Sequence, residues 1–252
     1  MLINNVEGFY NRLADEYDSM TSFDVRIAKE LPIFSSLIEK YKIKTALDAG
    51  CGTGVHSLVL GKLGVEVVAV DISSEMIHRL HTRSKKQKLK IKTIKTDFLN
   101  LPAKIHQQFD AIFCMGNSLA HAKTQRELLR ILSNFYKLLN PNGLLFIQIL
   151  NYDRIISRKE IIQNIKESDG KIYIRFYCFT DKNINFNIII LERKDGLLQY
   201  KLQTTTLRPI GQKEIVELLK RAGFKKIDSF GSIMAEKFIK NKSKDLFIIA
   251  RK

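Results

Sequence analysis

From residue 45 to residue 150 short β-branched runs alternate with stretches whose apolar residues recur every three or four positions, the pattern of β-α-β units around a parallel sheet. Thr45, Ala46, Leu47, Asp48 and Ala49 form the first predicted strand. Behind a glycine-rich turn, Val55, Leu58, Val59 and Leu63 mark the first helix of the alternation. A second strand is predicted over 65–70, and Ser73 or Ser74 is placed to cap a helix that buries Met76, Ile77 and Leu80. Residues 91–94 give a shorter, more polar third strand and 109–115 a fourth. Leu128, Ile131, Leu132, Phe135, Leu138 and Leu139 share one face of an amphipathic helix, which Asn140, Pro141, Asn142 and Gly143 end before an apolar strand over 144–150. Five such alternations predict a doubly wound sheet.

The period then changes. Residues 171–208 hold three runs of two-residue alternation joined by Asp181, Lys182 and Asn183 and by Asp195 and Gly196, which predicts an antiparallel insert. In its first strand Ile172, Ile174, Phe176 and Cys178 point one way and read as core, while Tyr173, Arg175, Tyr177 and Phe179 point the other. A helix with Ile215, Leu218, Leu219 and Ala222, closed by Gly223, leads to a strand near 224–230 and a last one over 245–250. With no internal repeat and no Pro- or Ser-rich linker, one domain of residues 1–252 with an inserted β-subdomain is the economical reading.

A chain of 252 residues, 45% hydrophobic and 27% charged, buries a sizeable core, which excludes a disordered polymer. Its apolar runs, such as 143–147, fall far short of the roughly 20 residues of a membrane-spanning helix. The first 18 residues interrupt their apolar positions with Glu7, Arg12, Asp15 and Glu16, unlike a secretory signal, so a cytoplasmic chain without a membrane partner is expected. Cys51, Cys114 and Cys178 lie far apart with no C-x-x-C pair, which argues against a disulfide framework or a thiolate zinc site. The 42 basic and 26 acidic residues leave a net charge of +16. Half of that sits between Arg79 and Lys95, where eight Lys/Arg occur without an acid, and this makes nucleic acid a partner to be weighed.

The turn of Gly50, Cys51, Gly52, Thr53 and Gly54 follows the first strand, where open α/β sheets bind ligands. A G-x-G-x-x-G dinucleotide fingerprint fails, because Val55 and Ser57 stand where its last glycine would be. Asp48 beside the turn repels a phosphate and suits an ammonium group. Asp71 ends the second strand, where a carboxylate accepts hydrogen bonds from both ribose hydroxyls. Adenosine plus an ammonium group points to S-adenosylmethionine. Asp97 after the third strand either takes an adenine amino proton, with Phe98 as an apolar flank, or caps a helix.

These motifs resemble those of the class I S-adenosylmethionine-dependent methyltransferases over about residues 10–150. Within them Gly116, Asn117, Ser118, Leu119, Ala120 and His121, and again Asn151, Tyr152 and Asp153, are similar to segments of the glycine N-methyltransferase-like group. The resemblance implies a Rossmann-like, mostly parallel sheet with an antiparallel last strand. It also implies a methyl donor across the carboxyl ends of the strands and a small acceptor above it. Residues 1–44 become amino-terminal helices, 45–150 the donor-binding core, 171–208 a lid over the acceptor, and 209–252 a terminal helix and strands. The donor contacts so implied are Tyr17, Arg26, Asp48, Gly50, Cys51, Gly52, Asp71, Ile72, Met76, Asp97, Phe98, Cys114 and Met115, with Arg26 on the donor's carboxylate. One departure matters: the arginine that clamps glycine in those enzymes is here Leu150, which argues against glycine as the acceptor.

Methyl transfer from a sulfonium needs alignment more than a nucleophilic residue, and holding the reactants about 3 to 3.5 Å apart is worth roughly 7 to 11 kcal/mol. Asn117 and His121 are the expected catalytic pair, with His121 as base or positioning group. Asn117, His121, Tyr152, Arg175 and Arg208 are the expected acceptor contacts, the two arginines standing in for the clamp missing at Leu150. The favoured acceptor is a small molecule, at an amine nitrogen. A nucleic-acid acceptor is the competing reading: eight phosphate contacts would give a salt slope of about −7. Against it, the base-amino methyltransferase segment is replaced by Met115, Gly116, Asn117 and Ser118, and only His81 interleaves an aromatic with the basic run. A donor-binding module without catalysis is the third reading.

Overall fold

The computed structural model describes residues 5–252; residues 1–4 of the predicted helical segment 1–44 lie outside the described residues. Helices α1 (Val6–Thr21) and α2 (Phe23–Tyr41) precede the alternating core. That core runs β1 (Thr45–Ala49), α3 (Val55–Lys62), β2 (Glu66–Asp71), α4 (Ser74–Lys86), β3 (Ile91–Lys95), α5 (Leu101–Lys104), β4 (Phe109–Cys114), a 3-10 turn (Ser118–His121), α6 (Gln125–Leu138) and β5 (Leu139–Leu150). After it come α7 (Tyr152–Arg158), β6 (Ile162–Ser168), β7 (Lys171–Phe179), β8 (Ile184–Lys194), β9 (Leu197–Leu207), α8 (Gln212–Arg221), β10 (Lys225–Phe230) and β11 (Asp245–Arg251). Local chemistry sets the boundaries: the Ser73 hydroxyl accepts from the Met76 N–H at the start of α4, as Thr124 does from Glu127 at the start of α6.

Seven strands form one sheet in the order β10-β11-β5-β4-β1-β2-β3. β5, β4, β1, β2 and β3 pair parallel, and β11 runs antiparallel to both β5 and β10. Alternate residues of the central strands feed two cores. Leu47, Ile112 and Leu145 face one helical layer; Ala46, Phe113 and Phe146 face the other, with the last two rings stacked at 4.6 Å. Each large side chain so buried contributes roughly 1.5–3 kcal/mol. The turn expected at 140–143 falls inside β5, where Asn142 has φ +66°.

The insert differs from expectation in two ways. It has four strands, β6-β7-β8-β9, because 162–168 pairs antiparallel with β7. The faces of β7 are also reversed: Tyr173 and Tyr177 are buried, whereas Ile172 and Cys178 are exposed. The reason is α1, whose Phe9, Leu13 and Met20 pack against Tyr173, Ile188 and Ile190, so the aromatic face meets a partner and the aliphatic one does not. Polar ties reinforce this seat, since Lys171 and the Tyr173 hydroxyl donate to Glu16 at 2.7 and 3.0 Å. The opposite side of α1 is held by the basic run: Arg79 pairs with Asp15, Arg83 with Asp18 and Lys95 with Glu7.

Candidate functional site

The glycine turn is shaped by its neighbours. Gly50, Gly52 and Gly54 all have positive φ, and a Cβ on Gly50 would lie 2.5 Å from Ser118 Oγ and 3.3 Å from the Phe98 ring. The N–H groups of Gly50 and Cys51 donate to the Val70 carbonyl at 2.9 and 3.0 Å, which brings the turn against Asp71. Asp71 Oδ2 accepts from the Gly52 N–H at 2.8 Å and Oδ1 from the Ser73 N–H at 2.9 Å. Burial outweighs these bonds and pushes its carboxyl up to about 6. Beneath the turn Asp48 is fully buried; Oδ2 accepts from the Ser57 hydroxyl at 2.6 Å, Oδ1 has no partner, and burial raises its pKa.

A cavity of about 550 Å³ opens beside this turn, between α1, the carboxyl ends of the sheet strands and the inner face of the insert. Of the predicted site residues, Tyr17, Arg26, Met115, Asn117 and Arg175 line it. Asp48, Gly50, Cys51, Gly52, Asp71, Ile72, Asp97, Phe98 and Cys114 on the adjoining strands and turns, and Met76 at the start of α4, lie outside the cavity lining. Asp97 is engaged locally: Oδ1 accepts from the Leu99 and Asn100 N–H groups, both at 2.9 Å, and Oδ2 from the Asn100 side-chain amide at 2.7 Å. Met76 and Cys114 are fully buried, and burial pushes the Cys114 thiol far up.

Asn117, in the left-handed region at φ +69°, is held tightly. Its Nδ2 lies 2.9 Å from the buried Tyr152 hydroxyl, and its Oδ1 accepts from the Leu150 N–H at 3.1 Å. His121 stands behind Tyr10, whose hydroxyl is 2.9 Å from His121 Nε2. Burial lowers its pKa to about 4, so the ring is neutral at physiological pH. Arg175 projects from the inner face of β7; its Nε is buried without a partner, and burial lowers its pKa against the nearby Tyr17 and Tyr177 rings. Arg208 is not brought to the cavity: it is ion-paired with Glu214 of α8.

Sequence reasoning missed several lining residues. Glu30 Oε1 accepts from Arg26 Nε at 2.9 Å and His56 Nε2 lies 3.1 Å from Glu30 Oε2, so Arg26 works within a three-residue cluster. Burial opposes the charge on Glu30, yet His56 and Arg26 hold its pKa below the usual range. The i,i+4 spacing of Arg26 and Glu30 was the available signal. Gln163, Asn164 and Lys166 of β6, Gln148 of β5 and Asp245 of β11 also line the cavity, and only the three-dimensional pairing of strands brings them there.

A family model described as a methyltransferase domain matches residues 46–143. The chain is 28% identical over 236 residues to the glycine/sarcosine N-methyltransferase of Halorhodospira halochloris, spanning 91% of this chain and 83% of the relative. The protein is a class I S-adenosylmethionine-dependent methyltransferase. It stands close to the glycine N-methyltransferase-like group. Among solved structures, an S-adenosylmethionine-dependent methyltransferase from Clostridium acetobutylicum superposes with a TM-score of 0.81 at 21% identity, covering 96% of this chain and 98% of that one. The CcbJ methyltransferase of Streptomyces caelestis gives 0.79 at 20% identity, covering 96% and 97%. Several side chains and the turn offer groups compatible with such a donor. The carboxylate of Asp71 is oriented by two N–H groups, Arg26 lines the adjoining cavity, and the space over Gly52 is bounded by the Tyr17 ring, 3.7 Å from where a Cβ would stand. No helix among the described residues is long and apolar enough to cross a membrane.

Proposed function

We propose that this methyltransferase acts on a small molecule at an amine nitrogen, and that Arg175 holds an anionic group of that acceptor. The observation that carries the reading is a half-buried guanidinium whose Nε is buried without a partner, lining the same cavity as Asn117 and Met115. A partly desolvated guanidinium with an unpartnered Nε is costly, and a bidentate carboxylate reduces that cost. The named activity of the relative from Halorhodospira halochloris, on glycine and sarcosine, supports an amino-acid-like acceptor. Leu150 in place of the family's clamp argues for an acceptor anchored differently from glycine.

The bound donor supplies a methyl group on a positively charged sulfur. In this reading Asp71 accepts from its ribose hydroxyls, the turn of Gly50, Cys51 and Gly52 lies along it, and Arg26 meets its carboxylate. Ile72, Met76, Asp97 and Phe98 border its adenine, and Asp48 favours its ammonium from below. Tyr17, Cys114 and Met115 wall the methyl end. Asn117, pinned by Tyr152, aligns the acceptor, and His121 positions the Tyr10 hydroxyl over it. A neutral imidazole with a pKa of about 4 is a weak base, which favours a positioning role. The insert covers the acceptor as a lid.

Nucleic acid fits less well, because three cations of the basic run are committed to acids of α1 and the cavity lies between α1 and the insert, away from that run. A screen of small amines, hydroxy acids and RNA for release of S-adenosylhomocysteine tests the proposal. Turnover on small amines is expected; turnover on RNA alone would overturn it.

A further inference from the structure

One acid in the cavity is left unused by the donor contacts. Asp245 opens β11, stands in register with Leu150 of β5, and lines the cavity with Leu150, Gln148 and Asn117. Gln148 Nε2 donates to Asp245 Oδ1 at 2.9 Å, and Gln148 Oε1 accepts from the Gly116 N–H at 2.7 Å, so Asp245 is braced against the turn that carries Asn117. The other lining acid, Glu30, is committed to Arg26 and His56. Around Asp245 the charged and titratable groups are Arg154 of α7, Lys244 beside it, and Tyr177 of β7. Arg154 is paired with Glu160 at 2.9 Å, and among the described residues no cation reaches ion-pair distance of Asp245.

The lining cations divide in the same way. Lys166 donates to the Ser19 carbonyl and to Ser22 Oγ, and Arg26 meets Glu30, which leaves Arg175 without an acid. Arg175 and Asp245 line the same cavity, one a guanidinium and the other a carboxylate without an ion-pair partner among the described residues. We infer that Asp245 recognises the cationic nitrogen of the acceptor, and that Asp245 and Arg175 together select a molecule bearing both an amine and an anionic group. This rests on the small-amine reading above. Leu150, apolar and in register with Asp245, leaves that carboxylate free for the acceptor, whereas an arginine at the same place would neutralise it. A site with two charges that lack ion-pair partners disfavours analogues missing either group, because the absent group leaves a partly desolvated charge without its counter-charge.

The test titrates sarcosine, glycine, glycolate and ethylamine, followed by NMR, into protein saturated with S-adenosylhomocysteine. Wild-type protein is expected to prefer the two amino acids over glycolate, which lacks the nitrogen, and over ethylamine, which lacks the carboxylate. Asp245→Asn keeps the acceptor atom for Gln148 and is expected to weaken sarcosine at least tenfold, leave glycolate within twofold and leave S-adenosylhomocysteine affinity unchanged. Asp245→Glu is expected to restore part of the loss. Lowering the pH through the raised pKa of Asp245 is expected to weaken sarcosine binding in the wild type and not in Asp245→Asn. If the wild type binds sarcosine or glycine and Asp245→Asn binds it within twofold as well, the inference is overturned while the small-amine reading stands. If the wild type binds none of the four, the inference falls, and the small-amine reading is decided by the turnover screen.

Discussion

Gly50, Asp71 and Met115 come together at one edge of the sheet because β2, β1 and β4 are adjacent parallel strands whose carboxyl ends lie side by side, whereas Arg175 and Asp245 reach the adjoining cavity from two different sheets. The donor side is built by backbone: N–H groups aimed at Asp71, positive φ at three glycines, a hydrogen-bonded turn against β2. On the proposed acceptor side the groups are side chains at single positions, so a change of one residue is expected to alter what is held there. This difference teaches where the methyltransferase is constrained and where it is free to vary, and it predicts a graded set of outcomes.

The largest effect is expected at the turn. Gly50→Ala asks for a left-handed backbone costing about 1–2 kcal/mol and pushes a methyl into Ser118 and Phe98, an overpacking cost of about 1–3 kcal/mol. A melting temperature lower by roughly 5–15 °C, together with lost donor binding, is the expected result. An unchanged melt would show the turn to be softer than its contacts imply. Next comes Asp71→Ala, expected to cost about 1.5–3 kcal/mol of donor affinity by calorimetry and to leave the fold in place. The sign of its pH dependence follows from burial. Free Asp71 titrates near 6, and hydrogen bonds from ribose hydroxyls favour the ionised form, so donor affinity should fall as pH drops below about 6. Asp71→Asn should flatten that fall; a persisting inflection would assign it to another group.

On the acceptor side Arg175→Met is expected to raise the acceptor KM at least tenfold and leave donor affinity within twofold. Arg208→Met should leave acceptor kinetics alone, because Arg208 lies outside the cavity lining and its Nη2 is paired with Glu214. Equal effects from the two would break the contrast, since Arg208 does not line the cavity.

The same contrast explains what the sequence disclosed. β1 to β5 and the turn were legible because each is written in consecutive residues: an apolar run, three glycines, an acid at a strand end. β6 was missed because Gln163, Asn164, Lys166 and Glu167 look like a polar loop until β7 pairs with them. The faces of β7 were separated correctly but assigned the wrong way round. Alternation says which residues share a side, and only α1, more than 150 positions upstream of Tyr173, decides which side is covered. Asp245 and Gln148 gave no signal, being an acid and an amide in otherwise apolar strands whose register is set by β5 and β11.

The smallest effect is expected from the feature that dominates the composition. Arg79, Arg83 and Lys95 of the basic run tie α1 across the donor side, and Arg83 also donates to the Thr53 carbonyl of the glycine turn at 3.1 Å. Lys85, Lys86, Lys88 and Lys92, in contrast, are exposed and make no ion pair among the described residues. Replacing these four by glutamine lowers the net charge from +16 to +12 and touches neither the turn nor the cavity. Exposed charges of this kind are screened within about 10 Å at ordinary salt, so turnover on a small amine and donor affinity should both stay within twofold. Activity that fell by orders of magnitude, and fell further as salt was raised, would mean that the acceptor is a polyanion held by phosphate contacts. The cavity, with one carboxylate and one guanidinium that lack ion-pair partners among the described residues, would then need another explanation.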